Sequence, residues 1–558
     1  MEEPWKIADR YHQRTKHHFD RYARSLGYLD WATQPDPFRR FEGAPLFPLP
    51  FSRGDSAAAY DDLFLAGQIS PQPVNLNTLA ALFEFSLAIS AWKEFKGSRW
   101  ALRINPSSGN LHPTEGYLVV GAGTGLHDRP AVYHYAPKEH ALERRAELSE
   151  ADWKQWMRPF PPGTFLAGLT SIHWREAWKY GERAYRYCQH DAGHALAALS
   201  LSAAIQGWGA RALPLVSDPR INNLLGLDRE PDFDGTEREH PDLLLAIVPR
   251  SVLTGKPSPD DSPQSAALDP EVLTVISEGA WTGRANLLSA SHVDWPIIDE
   301  VAEACGKHEA DGPSSFDSES PSADPLSFSP RRLPATRIIR QRRSAVDFDG
   351  STSMSAEQFF LMMDRAMPRY DHPPWTALGP PTCMHLALFV HRVMGLEPGL
   401  YFLVRTPRVQ GQLRQAMNPK FAWEKPADCP SSIPLYGLAA GDVRAIASSV
   451  SCHQDIAGES CFSLGMIAEF QGPLQRYGAW FYRRLFWETG VIGQILYLEA
   501  EAAGLRATGI GCFFDDAVHQ LLGFKDTTFQ SLYHFTVGGP IEDSRLTTLP
   551  PYPPDLRG

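Results

Sequence analysis

An internal repeat constrains this chain more than any other feature. Residues 178–207 read WKYGERAYRYCQHDAGHALAALSLSAAIQG, and residues 475–504 read QRYGAWFYRRLFWETGVIGQILYLEAEAAG. Tyr180, Gly181, Tyr185, Arg186, Gly193, Leu201 and Gly207 coincide with Tyr477, Gly478, Tyr482, Arg483, Gly490, Leu498 and Gly504 at a constant offset of 297. The offset persists at Leu224-Leu225-Gly226 and Leu521-Leu522-Gly523. Ungapped self-similarity of this length means two copies of one folding unit.

The pattern inside each copy predicts its elements. Val491, Ile495, Leu498 and Ala502 recur at helical spacing, and Ile492, Leu496 and Ala503 fill a neighbouring stripe. A helix apolar over that much of its circumference belongs in the interior. Gly207 and Gly504 stand where a left-handed C-terminal cap would sit. Strand-like runs close each copy: 243–248 before Pro249, and 533–537 before Gly538-Gly539-Pro540. Upstream, Tyr117–Val120 resembles Leu386–Val390, and Tyr133-His134-Tyr135 resembles Tyr401-Phe402-Leu403. The chain therefore reads as an N-terminal extension (1–59), an α+β domain (60–255), a connecting region (256–334) and a second α+β domain (335–558). Within the connection, residues 306–332 have the Ser, Pro, Asp and Gly content of a solvated linker. Trp281, Leu287, Leu288, Trp295, Ile297 and Ile298 call instead for a segment packed on a domain.

Composition removes several function classes. A net charge of −12 argues against broad nucleic-acid binding, which needs a basic face. No apolar run is long enough to predict a membrane span. The polar N-terminus lacks a signal-peptide core, and the seven scattered cysteines suit reduced thiols, so a cytoplasmic setting is expected. Cys452-His453 with Cys461 lacks a second ligand pair, and no metal site is expected.

Four polar constellations could carry chemistry. Residues 103–115 (RINPSSGNLHPTE) place Pro106, Ser107, Ser108 and Asn110 in a loop bounded by prolines. Such a loop can converge neutral donors and acceptors on a polar ring or phosphate, and it also fits a capped helix start. Arg342-Arg343-Ser344 suits a phosphate monoester through charge-assisted hydrogen bonds, and fits equally a basic linker end. Lys179 and Tyr180, with Tyr187 downstream, can move protons if their surroundings shift them; an amphipathic helix would show the same residues. Gly509-Ile510-Gly511 permits close approach of a ligand to main-chain N–H groups, without being a dinucleotide fingerprint.

Taken together, the Asn105–Pro113 run, the KYGERAYRY segment from Lys179 and the Arg342-Arg343-Ser344 start resemble the flavin-dependent nitroreductase family, and within it the SagB/ThcOx-type branch of azoline-oxidising peptide dehydrogenases. The resemblance spans both halves outside 1–59 and 256–332. It implies a central antiparallel-type sheet with surrounding helices in each domain, and FMN at a subunit interface. It also implies that Arg342, Arg343, Ser344 and a late arginine, Arg545, hold the phosphate. The Gly509–Gly511 loop would face the isoalloxazine, and the Pro106–Asn110 loop would arrive from the other subunit.

Each half keeps what the other lacks. Aligning Pro106 with Pro374 sets Ser107, Ser108 and Asn110 against Trp375, Thr376 and Leu378, and the first half has Asp62–Leu65 in place of the arginine pair. The expectation is an intramolecular pseudo-dimer, monomeric as a chain, with one FMN at a single composite site. Burying a phosphate without cations is costly, so the other site should be empty. The resemblance assigns proton removal to Lys179 or Tyr180, because Arg476 in the second copy stays protonated. Three activities stay open. These are hydride transfer between a small-molecule or peptide-derived substrate and flavin, NAD(P)H-dependent reduction of nitro or quinone compounds, and a non-catalytic flavin-binding descendant.

Overall fold

Alternating β-branched and aromatic runs in each half pair into an antiparallel sheet, and the two sheets share one strand order. A computed structural model describes residues 2–65, 67–250, 279–308, 325–326 and 328–553. The first sheet runs, edge to edge, 46–48, 141–147, 131–136, 114–120, 165–171, 240–249 and 208–212. The second runs 435–440, 399–403, 384–390, 462–469, 529–538 and 506–510. Every strand of the second sheet thus has a counterpart in the first. The first sheet gains one edge strand, Leu46–Pro48, from the segment read as an N-terminal extension; it pairs Leu46 with Glu143. Proline is tolerated there because an edge strand leaves one side unpaired.

The repeat segments form two helices of 22 residues each, Ala184–Ile205 and Phe481–Ala502, both buried along nearly their whole length. Gly207 and Gly504 follow them with φ +68° and +74°, the left-handed geometry expected of a C-terminal cap. The helices pack on each other through repeat-related glycines. A Cβ on Gly193 would collide with the Trp487 carbonyl, and a Cβ on Gly490 with the His190 carbonyl. His190 and Trp487 are themselves repeat partners, so the crossing has local two-fold character. Hydrogen bonds flank it: His190 Nδ1 with Thr489 Oγ1 at 2.7 Å, and Trp487 Nε1 donating to Gln189 Oε1 at 2.7 Å.

Peripheral segments bind the halves further. A hairpin of the first half, Ile89–Phe95 and Ser98–Arg103, accepts a third strand, Thr547–Leu549, from the end of the second. Tyr552 then accepts from the Ile89 N–H and donates to the Pro137 carbonyl. The connecting region packs on the first half: Ala285 pairs with Phe41, Trp281 fills the space above Gly226, and the helix Pro296–Ala304 lies against Pro4–Arg14. Leu288, Trp295, Ile297 and Ile298 are buried, whereas Leu287 is 60% exposed. Most of 306–332 lies outside the described residues. Among the described residues no helix is long and apolar enough to cross a membrane.

A glycine-to-alanine change in a helix normally stabilises it by ~0.5–1 kcal/mol. At Gly490 the sign should reverse, since the obstructing atoms are backbone; Gly490→Ala should cost about 1–3 kcal/mol or more in denaturant unfolding. Gly472→Ala, on a helix with nothing within 4 Å, should be neutral or mildly stabilising in the same assay.

Candidate functional site

The seam between the halves encloses a cavity of ≈ 700 Å³. From the first half it is lined by Pro106, Ser107, Ser108, Asn110, Tyr180 and Tyr187, and from the second by Arg342, Arg343, Ser344, Gly509, Ile510 and Gly511. Loops more than 200 residues apart in sequence thus share one space. The sequence singled out all twelve; Asp191, His194, Tyr497, Arg506 and Tyr533 line the cavity as well.

The two arginines, Arg342 buried and Arg343 half-buried, are cations held mainly by carbonyls. Arg342 donates from Nε to the Ile104 carbonyl (3.2 Å) and from Nη2 to the Arg103 carbonyl (2.9 Å), while its buried Nη1 has no partner among the described residues. Arg343 donates to the carbonyls of Arg340, Arg342 and Ser90 at 2.6–3.0 Å. Burial, and then the neighbouring Arg342, bring Arg343 down to about 10, so it remains charged at neutral pH. A largely desolvated positive pair held by dipoles favours an anion.

Beside them, Ser344 Oγ meets Tyr497 Oη at 2.9 Å, and the Gly509 N–H donates to the same hydroxyl at 3.0 Å. That N–H is therefore engaged within the protein. The loop itself is set by close approach: a Cβ on Gly509 would strike the Tyr533 hydroxyl, and one on Gly511 the Tyr187 ring. Tyr187 Oη donates to the Gly511 carbonyl at 3.1 Å. Ile510 turns its side chain into the core of the second half and offers only backbone.

The opposite wall is held by one carboxyl. Asp191, on the helix Ala184–Ile205, accepts from the Ser108 N–H (3.0 Å) and the Ser108 hydroxyl (2.9 Å). Ser107 Oγ accepts the His112 N–H at 2.8 Å, and Asn110 Nδ2 donates to the Ala101 carbonyl at 2.9 Å. Gly109, at φ +59°, bends the loop onto Lys179 and Tyr180: a Cβ there would lie 2.5 Å from Tyr180 Oη and 3.1 Å from Lys179 Nζ. Tyr180 lines the cavity, whereas Lys179 stands behind it.

Burial raises Asp191 to about 7, with the Ser107 and Ser108 hydrogen bonds limiting the rise. Glu176, whose carboxyl oxygens have no hydrogen-bond partner among the described residues, is pushed well above the carboxylate range by burial and then by Asp191. Burial likewise pushes the Tyr180 phenol up, so it is neutral at pH 7. Sequence reasoning missed Asp191. Its signal was available: it is the one acid in the first long helix, and it falls opposite Glu488 in the repeat.

Arg545 is not brought to the cavity. Its side chain is 74% exposed and closes a local ring with Asp543, whose carboxylate accepts from Arg545 N, Nε and Nη2 at 2.8–3.1 Å. Arg506 lines the cavity in its stead and pairs with Glu542.

The pseudo-symmetric position is packed shut. There Arg484, repeat partner of Tyr187, donates to the carbonyls of Leu378, Gly379 and Pro381, at and just after the end of the segment aligned with the Ser-Asn loop. Glu488, the partner of Asp191, pairs with Arg405 at 2.6 Å. A space of ≈ 40 Å³ remains.

The chain matches the family model described as the nitroreductase family over residues 68–234 and 407–539, more than half its length. A protein of Methanocaldococcus jannaschii assigned to the nitroreductases is 27% identical over 132 residues, 23% of this chain and 65% of that protein. The match thus spans under two thirds of that relative. A crystal structure of an Anabaena variabilis protein, also assigned to the nitroreductases, superposes with a TM-score of 0.68 at 21% identity, covering 96% of this chain and 99% of its own. That likeness supports the two-lobed fold over the full length.

Asp191 should titrate near neutrality. Its folded value lies above the ordinary ~3.9, so the stability it contributes is present below about pH 4 and lost as pH rises through about 7. An infrared titration should show a protonated-carboxyl band disappearing with a midpoint near 7. Asp191→Asn should lack that band and the matching slope in stability.

Proposed function

The chain belongs to the nitroreductase family, and from that premise we propose that it is an FMN-dependent oxidoreductase with one flavin at the seam between its halves. The observation that carries this reading is the pair Arg342 and Arg343. Two guanidinium groups, Arg342 buried and Arg343 half-buried, rest on carbonyl dipoles, the first with an unpartnered Nη1, at the edge of a cavity whose far wall is hydroxyl and amide. A phosphate monoester would supply the missing acceptor and compensate the charge. Arg342, Arg343 and Ser344 would hold the phosphate, with Arg506 replacing Arg545 as a further cation. The Gly509–Gly511 backbone and the Ser107–Asn110 loop would bracket the flavin ring.

When bound, FMN supplies hydride chemistry. Among the protein groups, the neutral Tyr180 phenol is suited to donate a proton or hydrogen bond, and a base near neutrality is better matched by Asp191. Lys179 then serves the pair from behind, its Nζ beside Gly109 with the Tyr180 hydroxyl. The substrate is proposed to be a small molecule or peptide-derived heterocycle undergoing dehydrogenation, as in the SagB/ThcOx-type branch. The fused halves make the chain an intramolecular pseudo-dimer with one working site. The second position supports that asymmetry, because Arg484 and Glu488 are spent on internal contacts.

Purified or reconstituted protein should be yellow and hold one FMN per chain by absorbance. Two would overturn the asymmetric site, and failure to take up any would overturn flavin binding. Arg343→Gln should weaken FMN binding by roughly 10–100-fold, the loss of about 1.5–3 kcal/mol of charge-assisted hydrogen bonding. Arg545→Gln should leave it unchanged, since that side chain lies outside the cavity.

A further inference from the structure

Five of the seven cysteines are buried, and Cys452 and Cys512 are the partly exposed pair. Their sulfurs stand 2.6 Å apart although 60 residues separate them in sequence. Cys452 lies in the turn after the helix Arg444–Val450, and Cys512 follows the strand Arg506–Ile510. Gln454 ties the two segments together, donating from Nε2 to the carbonyls of Cys512 (3.0 Å) and Ser451 (2.8 Å). Both Gln454 and Cys512 line the central cavity.

Two further observations separate this pair from ordinary structural thiols. Cys452 and His453 have φ of +55° and +57°, a left-handed conformation that side-chain-bearing residues seldom adopt in succession. Such geometry persists where the surroundings impose it, and it concentrates at working sites. Secondly, Arg183 approaches from the first half, with Nη2 3.3 Å from the Gly511 carbonyl. The contact with Cys452 chiefly, and this guanidinium in addition, draw the Cys512 thiol below its usual range, with burial and then Asp515 opposing. Inert structural cysteines are buried in apolar surroundings, whereas reactive ones sit partly exposed beside positive charge.

We propose that Cys452 and Cys512 form a thiol–disulfide exchange site at the edge of the cavity, with a low-molecular-weight disulfide as its oxidising substrate. Cys512, as thiolate, attacks one sulfur of the disulfide; the S–S bond breaks, and the departing thiolate takes up the proton that Cys512 released. Cys452 then loses its proton and attacks the Cys512 sulfur, expelling the second half of the substrate as a thiol. Two protein thiols are oxidised to one disulfide, and one substrate disulfide is reduced to two thiols. The new bond joins the turn at Cys452 to the loop that carries Gly509 and Gly511. The exchange needs no flavin.

The test is titration of the fully reduced, full-length protein with oxidised glutathione, followed by peptide mapping. The expected product is a Cys452–Cys512 link with no retained glutathione, reversed by dithiothreitol, while the five buried cysteines stay unmodified. Cys452→Ser should instead retain glutathione on Cys512, and Cys512→Ser should modify Cys452 about tenfold more slowly. Stable glutathione adducts on both cysteines of the wild type, or no reaction at either, would overturn the proposal. Mapping of the wild type decides this even if a variant fails to fold.

Discussion

The close crossing of the helices Ala184–Ile205 and Phe481–Ala502 is the contact on which the rest of the architecture depends. Gly193 and Gly490 remove the side chains that would hold the backbones apart, and each helix presents a carbonyl where the other lacks a Cβ. Interiors packed to crystal-like density tolerate little error at such a point. Asp191 lies two residues from Gly193, and Tyr187 six, so the crossing also positions the wall of the cavity. Tyr497 extends from the partner helix to Ser344 and the Gly509 N–H. One packing event therefore aligns a loop from each half on a common space.

Around that nearly symmetric frame the two interface positions have diverged. At one, serine, asparagine and glycine leave an open cavity faced by cations. At the other, carbonyls from Leu378, Gly379 and Pro381 satisfy Arg484, and Arg405 satisfies Glu488. The difference is electrostatic as well as steric. Beside Asp62–Leu65, which stand in the first half in place of the arginine pair, Asp61 draws Arg331 and Arg365 to itself at 2.8 and 3.2 Å.

Burial decides the protonation states that matter. Arg342 and Arg343 keep their charge because guanidinium groups start far above neutrality, even after desolvation lowers them. Asp191 starts near 4 and is carried to about 7, so desolvation places a carboxyl in the range where it can exchange a proton. The same effect keeps Tyr180 neutral and gives the tyrosine and the aspartate different capacities within one cavity wall.

Sequence alone determined the repeat, the long buried helices, the glycine caps and the complementary loss of polar loop and arginine pair, because these are periodicities and identities written locally along the chain. It could identify Gly193 and Gly490 as repeat partners without saying that each receives the other's backbone. It placed Arg545 among the phosphate-holding residues without showing that the side chain pairs with Asp543 at the surface, since that contact depends on the turn between them. Asp191 escaped notice because its significance lies in desolvation, and desolvation is a property of everything packed around a residue. The contact of Cys452 with Cys512 and the hydrogen bonds of Arg342 to the Arg103 and Ile104 carbonyls are likewise tertiary facts. Residues tens to hundreds of positions apart become neighbours only when two sheets and two helices have fixed their distance.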